Sequence, residues 1–140
     1  MIASLLYLAM QVRASTRASA VESKLASTRF YTDFLSSLIQ SPELNDLFLR
    51  GRKDLAALTP EELIRYSNLS LQSFSFFSAG YFQFRNGTLS EADWFENRAI
   101  IQFWLRGAGC RRWWKDVGQN MFGPDFVAFI ESEIRRNAGA

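Results

Sequence analysis

Apolar residues return along most of this chain at intervals of three and four, the period of a helix face, and no stretch alternates every second residue between turn signals as a strand would. From Met1 to Gln40 there is neither Pro nor Gly, the residues that most often break a helix, so one long helix is predicted there. Forty helical residues reach about 60 Å, whereas a compact domain of this length has a radius of gyration of about 14 Å. Part of that helix must therefore project from the body or break. Its opening run, Met1 to Met10, is almost entirely apolar; Arg13 and Arg17 follow at once, and Ala14 to Thr28 is rich in Ala, Ser and Thr.

Further along, starts and stops are explicit. Ser41-Pro42-Glu43 reads as an N-cap with Pro at the first helical position, and Gly51 stands where a C-terminal cap is expected, enclosing a short helix with Leu44, Leu47 and Phe48. Thr59-Pro60-Glu61-Glu62 is a stronger start, because the Thr59 hydroxyl and Glu62 carboxylate can each satisfy an orphaned N–H of the other's residue. This predicts a helix from Pro60 to about Arg85, stopped by Asn86 and Gly87. Ser90 opens the next, with Glu91 and Asp93 in its first turn and Arg106 in its last, and Gly107 and Gly109 are expected to end it. A shorter helix runs through Trp113 and Trp114 to about Val117. After Gly123 and Pro124 comes a last amphipathic one carrying Phe126, Phe129, Ile130 and Ile134.

Within the Pro60 helix, Leu63, Ser67, Ser70, Phe74, Phe77, Tyr81 and Phe84 advance by alternating steps of four and three, a heptad-like seam. Leu69, Phe76 and Phe82 lie off the seam, so this helix needs cover on more than one side and should be central. The expected fold is all-α: a single-domain helical bundle of about five to six helices, with residues 1–40 as the long first helix and 41–140 as a compact aromatic-rich helical domain. Phe74, Phe77, Tyr81, Trp94, Trp104, Trp113 and Trp114 are the expected core.

Composition narrows the chemistry. Among 140 residues there are 13 Phe, 4 Trp and 4 Tyr, but no His and one Cys. That removes His-assisted nucleophiles, His and Cys-rich metal sites and any intrachain disulfide. Cys110 lies between Gly109 and Arg111, where cations can activate a thiol, but with no base to partner it a small packing residue is the better reading. Glu61 with Glu62 and Glu91 with Asp93 and Glu96 lie in opening helix turns, where dipole compensation accounts for them, which leaves Glu131 with Glu133. No metal or other cofactor is expected, and an enzyme is the least favoured class.

The formal charge is only +2, so no nucleic-acid partner is expected from it. Arg98, Arg106, Arg111, Arg112 and Lys115, interleaved with Phe103, Trp104, Trp113 and Trp114, form the one candidate contact for an anionic group or lipid headgroup. The plainer reading makes the tryptophans core and the cations the wet faces of two helices. The apolar start is too short to cross a bilayer, which takes about 20 residues. Followed by Arg13 and Arg17, it nevertheless has the form of a membrane helix's cytoplasmic exit, with Ile2, Leu5, Leu6, Leu8, Arg13 and Arg17 as candidate membrane contacts.

The run Ser4 to Arg13 with Thr16, then Pro42-Glu43-Leu44, Arg50-Gly51, Leu58 to Glu62, Tyr81 to Arg85 with Gly87, Trp94, Trp113-Trp114, and Phe122, Pro124, Phe126 and Phe129 together resemble a group of uncharacterised bacterial helical proteins with one N-terminal hydrophobic segment. The resemblance brings no activity. In that group the hydrophobic segment usually begins earlier, which implies that this chain starts inside it at Met1. The expected function is a non-catalytic, membrane-associated interaction or accessory module, with an unidentified protein partner, membrane contact through residues 1–12 and self-association through the first helix. Its expected place is the cytoplasmic face of a bacterial inner membrane, or the cytoplasm if the N-terminus is complete at Met1. The competing expectation is a soluble bundle that holds an apolar or lipid-like ligand between its aromatic helices.

Overall fold

The structure is a computed structural model and describes residues 1–139. Six α-helices follow one another: α1 (Ile2–Gln40), α2 (Pro42–Lys53), α3 (Pro60–Arg85), α4 (Glu91–Leu105), α5 (Ala108–Asp116) and α6 (Pro124–Ala138), with single 3-10 turns at Leu55–Ala57 and Gly118–Asn120. The class is all-α, and α1 is one unbroken helix of 39 residues.

Local chemistry sets most boundaries. The Ser41 hydroxyl accepts the Leu44 N–H at 3.2 Å and starts α2. At α3 the reciprocal cap forms in full: Glu62 N–H donates to Thr59 Oγ1 at 3.2 Å and Thr59 N–H donates to Glu62 Oε2 at 2.9 Å. Gly87, at φ +82°, makes the left-handed turn out of α3, a conformation that costs a side chain energy but not glycine. Ser90 then caps α4 by accepting from Asp93 N–H at 3.1 Å.

Two expected stops are not stops. Gly51 lies inside α2, which continues to Lys53, and Gly109 lies inside α5. Both are glycine because two helices meet there. A Cβ on Gly51 would sit 2.3 Å from the Tyr66 ring, so the residue serves close approach rather than chain reversal.

The core is a continuous aromatic stack centred on α3. Trp104 is its hub, with Phe48 of α2 at 5.0 Å, Phe34 of α1 at 5.7 Å, and Phe74 and Phe77 of α3 at 6.0 and 6.1 Å between ring centroids. Trp114 continues it from Phe74 to Phe126, and Trp94 lies flat on Phe84 at 5.1 Å. The indole N–H groups of the adjacent Trp113 and Trp114 are both satisfied, as those of buried aromatics usually are: Trp113 donates to Ser67 Oγ at 2.9 Å and Trp114 to Glu131 Oε1 at 3.0 Å. Of the expected core, Tyr81 alone is only half-buried, stacked on Phe129 at 4.8 Å. The seam of α3 also shifts: Leu63 faces solvent, and Tyr66, one turn on, is fully buried in its place.

Candidate functional site

α1 is the feature without a structural explanation in the bundle. Among its residues none is buried, and from Met1 to Ser19 every one is exposed. Contact with the body begins at Ala20 and becomes firm a turn later. Lys24 Nζ reaches Asp93 at 3.0 Å and also pairs with Glu96, tying α1 to the first turns of α4. Phe30 then stacks on Phe76 at 4.1 Å, and Phe34 enters the Trp104 cluster. Eighteen helical residues, Ile2 to Ser19, therefore stand clear of the bundle, about 27 Å of helix.

The clear end is apolar around most of its girth. Ile2 is 77% exposed, Leu5 64%, Leu6 62%, Leu8 55% and Val12 63%. The polar side chains of residues 1–12 are Ser4, Tyr7 and Gln11, and Gln11 donates to the Tyr7 hydroxyl at 2.9 Å. Thr16 hides its hydroxyl by donating to the Val12 carbonyl at 2.8 Å. Arg13 and Arg17 follow one turn apart, both exposed, so they share a helix face just past the apolar run. Among the described residues no helix is long and apolar enough to cross a membrane.

The five cations of the other candidate contact go to different places. Arg98 donates twice to Glu133 Oε1, at 3.0 and 2.8 Å, and Gln102 donates to Oε2 at 2.9 Å, so this carboxylate, 1% exposed, is held by two side chains of α4. Arg111 donates to the carbonyls of Leu105 and Arg106 at 2.8 and 2.9 Å and closes the end of α4. Arg112 pairs with Asp116 on its own helix. Arg106 and Lys115 are exposed. Arg98 and Arg111 thus answer needs of the fold and Arg112 stays on the surface in its pair, while Trp104, Trp113 and Trp114 are core.

Cys110 is fully buried, and burial pushes its thiol up to about 12, so at neutral pH it is a protonated packing group. The carboxylates of the helix starts are engaged by cations: Glu61 pairs with Arg65, Glu62 with Arg50, and Asp93 and Glu96 share Lys24. Among the described residues no three or more of His, Cys, Asp and Glu stand together as a metal cage. One surface feature had no clear signal in the sequence. A groove of about 420 Å³ lies between the end of α3 and the start of α6, lined by Tyr81, Phe82, Arg85, Pro124 and Phe126, with Phe82 68% exposed. None of the five cations lines it. Phe82 stood off the α3 seam, which was the only hint.

Compared with protein-family models, with curated proteins and with solved structures, the chain has no match.

Proposed function

We propose that this protein is a non-catalytic, membrane-associated interaction module on the cytoplasmic face of a bacterial inner membrane, docked by the apolar end of α1 and offering its helical body to a protein partner. The observation that carries the reading is the unburied segment Met1–Val12, whose large side chains are more than half exposed on the part of α1 that lies clear of the body. Isolated surface leucines are ordinary, but a contiguous apolar surface of this kind marks a membrane or protein contact. Twelve residues extend about 18 Å, more than half of a hydrocarbon core of about 30 Å. The segment is long enough to enter a leaflet, with Arg13 and Arg17 at headgroup level, where their stems lie along the apolar surface and their guanidinium groups meet anionic lipid.

Flotation of the full chain with vesicles of phosphatidylglycerol and phosphatidylethanolamine tests this. The wild type should rise with the vesicles, and the Leu5→Glu/Leu8→Glu variant, altered where nothing packs, should stay at the bottom with an unchanged Tm. Equal flotation of the two, or none by the wild type, removes the membrane reading.

A further inference from the structure

The exposed part of α1 has an order that its near-uniform solvent contact hides. Ser4, Tyr7, Gln11, Ala14, Ala18, Val21 and Leu25 advance by alternating steps of three and four, form one stripe, and are all exposed. Below Ser19 the body docks on another face, through Ala20, Ser23, Ser27, Phe30 and Phe34, each half-buried. In heptad terms the body takes the outward positions and leaves the seam open. Val21 and Leu25, at the foot of the seam, are 59% and 61% exposed.

From this we infer that α1 pairs in parallel with α1 of a second copy of this chain along the seam Ser4 to Leu25. Two independent observations select that occupant. The first is charge. With Ala14, Ala18, Val21 and Leu25 as the core of the pair, Arg17 and Glu22 flank it five residues apart, the offset at which parallel helices exchange ion pairs. Both are exposed, and neither forms an ion pair among the described residues. Twofold symmetry makes the contact twice, Arg17 of each copy with Glu22 of the other. The second is the placement of polarity. Ser4, Tyr7 and Gln11, the polar side chains of the apolar end, all lie on the seam. In a leaflet they would cost energy facing lipid, and the paired helix removes them from it and gives Gln11 a partner across the interface. Ala14 and Ala18 permit close approach of the two backbones between those polar and apolar thirds. A parallel pair also enters a membrane from one side, as two antiparallel copies cannot. For residues 4–11 the inference rests on the membrane reading; for residues 14–25 it stands alone.

Disulfide trapping in the full chain tests it, with copper phenanthroline as oxidant in dodecyl maltoside micelles and in the vesicles used for flotation. Cys110 is buried and stays out of the reaction. Ala18→Cys should trap a dimer of the 16.0 kDa chain, which requires the same residue of both copies to meet, and Ser19→Cys, off the seam, should remain monomeric. Arg17→Glu should abolish trapping at position 18, and adding Glu22→Arg should restore it. Equal trapping at 18 and 19, or a wild type that sediments as a monomer in the micelles, overturns the pair. Flotation separates the two proposals: a floating monomer leaves the membrane reading and ends this one, and a trapped dimer that does not float keeps the pair along residues 14–25 and ends its upper part.

Discussion

Gly109 passes so close to Gly51 that a Cβ on the former would lie 1.9 Å from the carbonyl oxygen of the latter. The neighbouring contacts are as tight. A Cβ on Gly107 would meet the Arg52 carbonyl oxygen at 2.3 Å, and Arg52 itself lies 4.1 Å over the Phe103 ring while donating to the Phe103 carbonyl. The crossing of α2 and α5 is thus a backbone-to-backbone contact that no side chain can enter.

Gly109→Ala should therefore cost about 3 kcal/mol, the upper range for overpacking, because the obstacle is a backbone oxygen and not a mobile side-chain tip. Gly123→Ser is the contrast. Nothing lies within 4 Å of a Cβ there, and its backbone, φ −67° and ψ 157°, matches that of Ser90 at its own cap. It should raise stability by a few tenths of a kcal/mol, about the difference between Gly and Ser as caps. Thermal melts of both variants check the pair.

Acid should act through Glu62. The Arg50 guanidinium, which donates to both of its oxygens at 2.7 and 3.1 Å, and the Thr59 N–H hold its carboxyl down from 4.5 to about 2. The group is lowered in the folded chain, so its contribution is complete above its unfolded value and is lost as pH falls from about 4.5 to about 2. Urea melts across that range should show Glu62→Gln less stable than wild type at neutral pH, with the gap closing as acid protonates the wild-type carboxylate. A gap of constant size would refute the assignment.

Removing the buried member of the pair between α4 and α6 should be costly. Glu133→Ala takes the acceptor from Arg98, which is 31% exposed, and from Gln102, and should cost about 1.5–3 kcal/mol, the range for hydrogen bonds to a charged group. Arg98→Met with Glu133→Leu should recover most of the loss, since filling the site with apolar volume removes the stranded charge. Comparison of the two variants by denaturant unfolding decides between a pair that stabilises and one that fixes how α6 docks.

Phe30 and Lys24 hold the middle of α1 to the body. Phe30→Ala should lose the stack on Phe76, worth about 1 kcal/mol beyond its area. Hydrogen exchange should then speed up at residues 20–31 of α1 and stay slow in α3, whose aromatic stack is otherwise unchanged.

Cys110 should be inert towards dithionitrobenzoate at pH 8 and react at the rate of global unfolding, because its thiol is both buried and protonated there. A fast stoichiometric reaction of the folded chain would contradict its place in the core.

Much of this fold was legible because its signals are local. The reciprocal Thr59 and Glu62 cap, the Ser41 and Ser90 caps and the Asn86-Gly87 exit each need only four or five neighbouring residues to work, and each forms as the spacing requires. Gly51 and Gly109 misled because glycine answers two demands, a left-handed turn and a close approach, and only the partner helix tells them apart. Arg98 read as a free cation for the same reason: its partner Glu133 lies 35 residues away. At the candidate site, the apolar end and its arginines were plain in the sequence. The limit of the body's grip on α1 was not, because Phe30 and Phe34 sit in a helix with little amphipathic contrast and gain meaning only from Phe76 and Trp104.

The absence of Pro and Gly from α1 makes it a shaft as well as a tether. Both ends turn together, so the bundle's bearing about the helix axis is set by how many residues lie between the apolar end and Lys24. One alanine added between Ala14 and Ser19 would swing the bundle by about 100° and lift it by about 1.5 Å. Seven added there would return nearly the same heading about 10 Å farther out. Length and bearing are thus both written in the residue count of one stretch of helix, and a partner that reads a particular face of the bundle would feel the first insertion far more than the second.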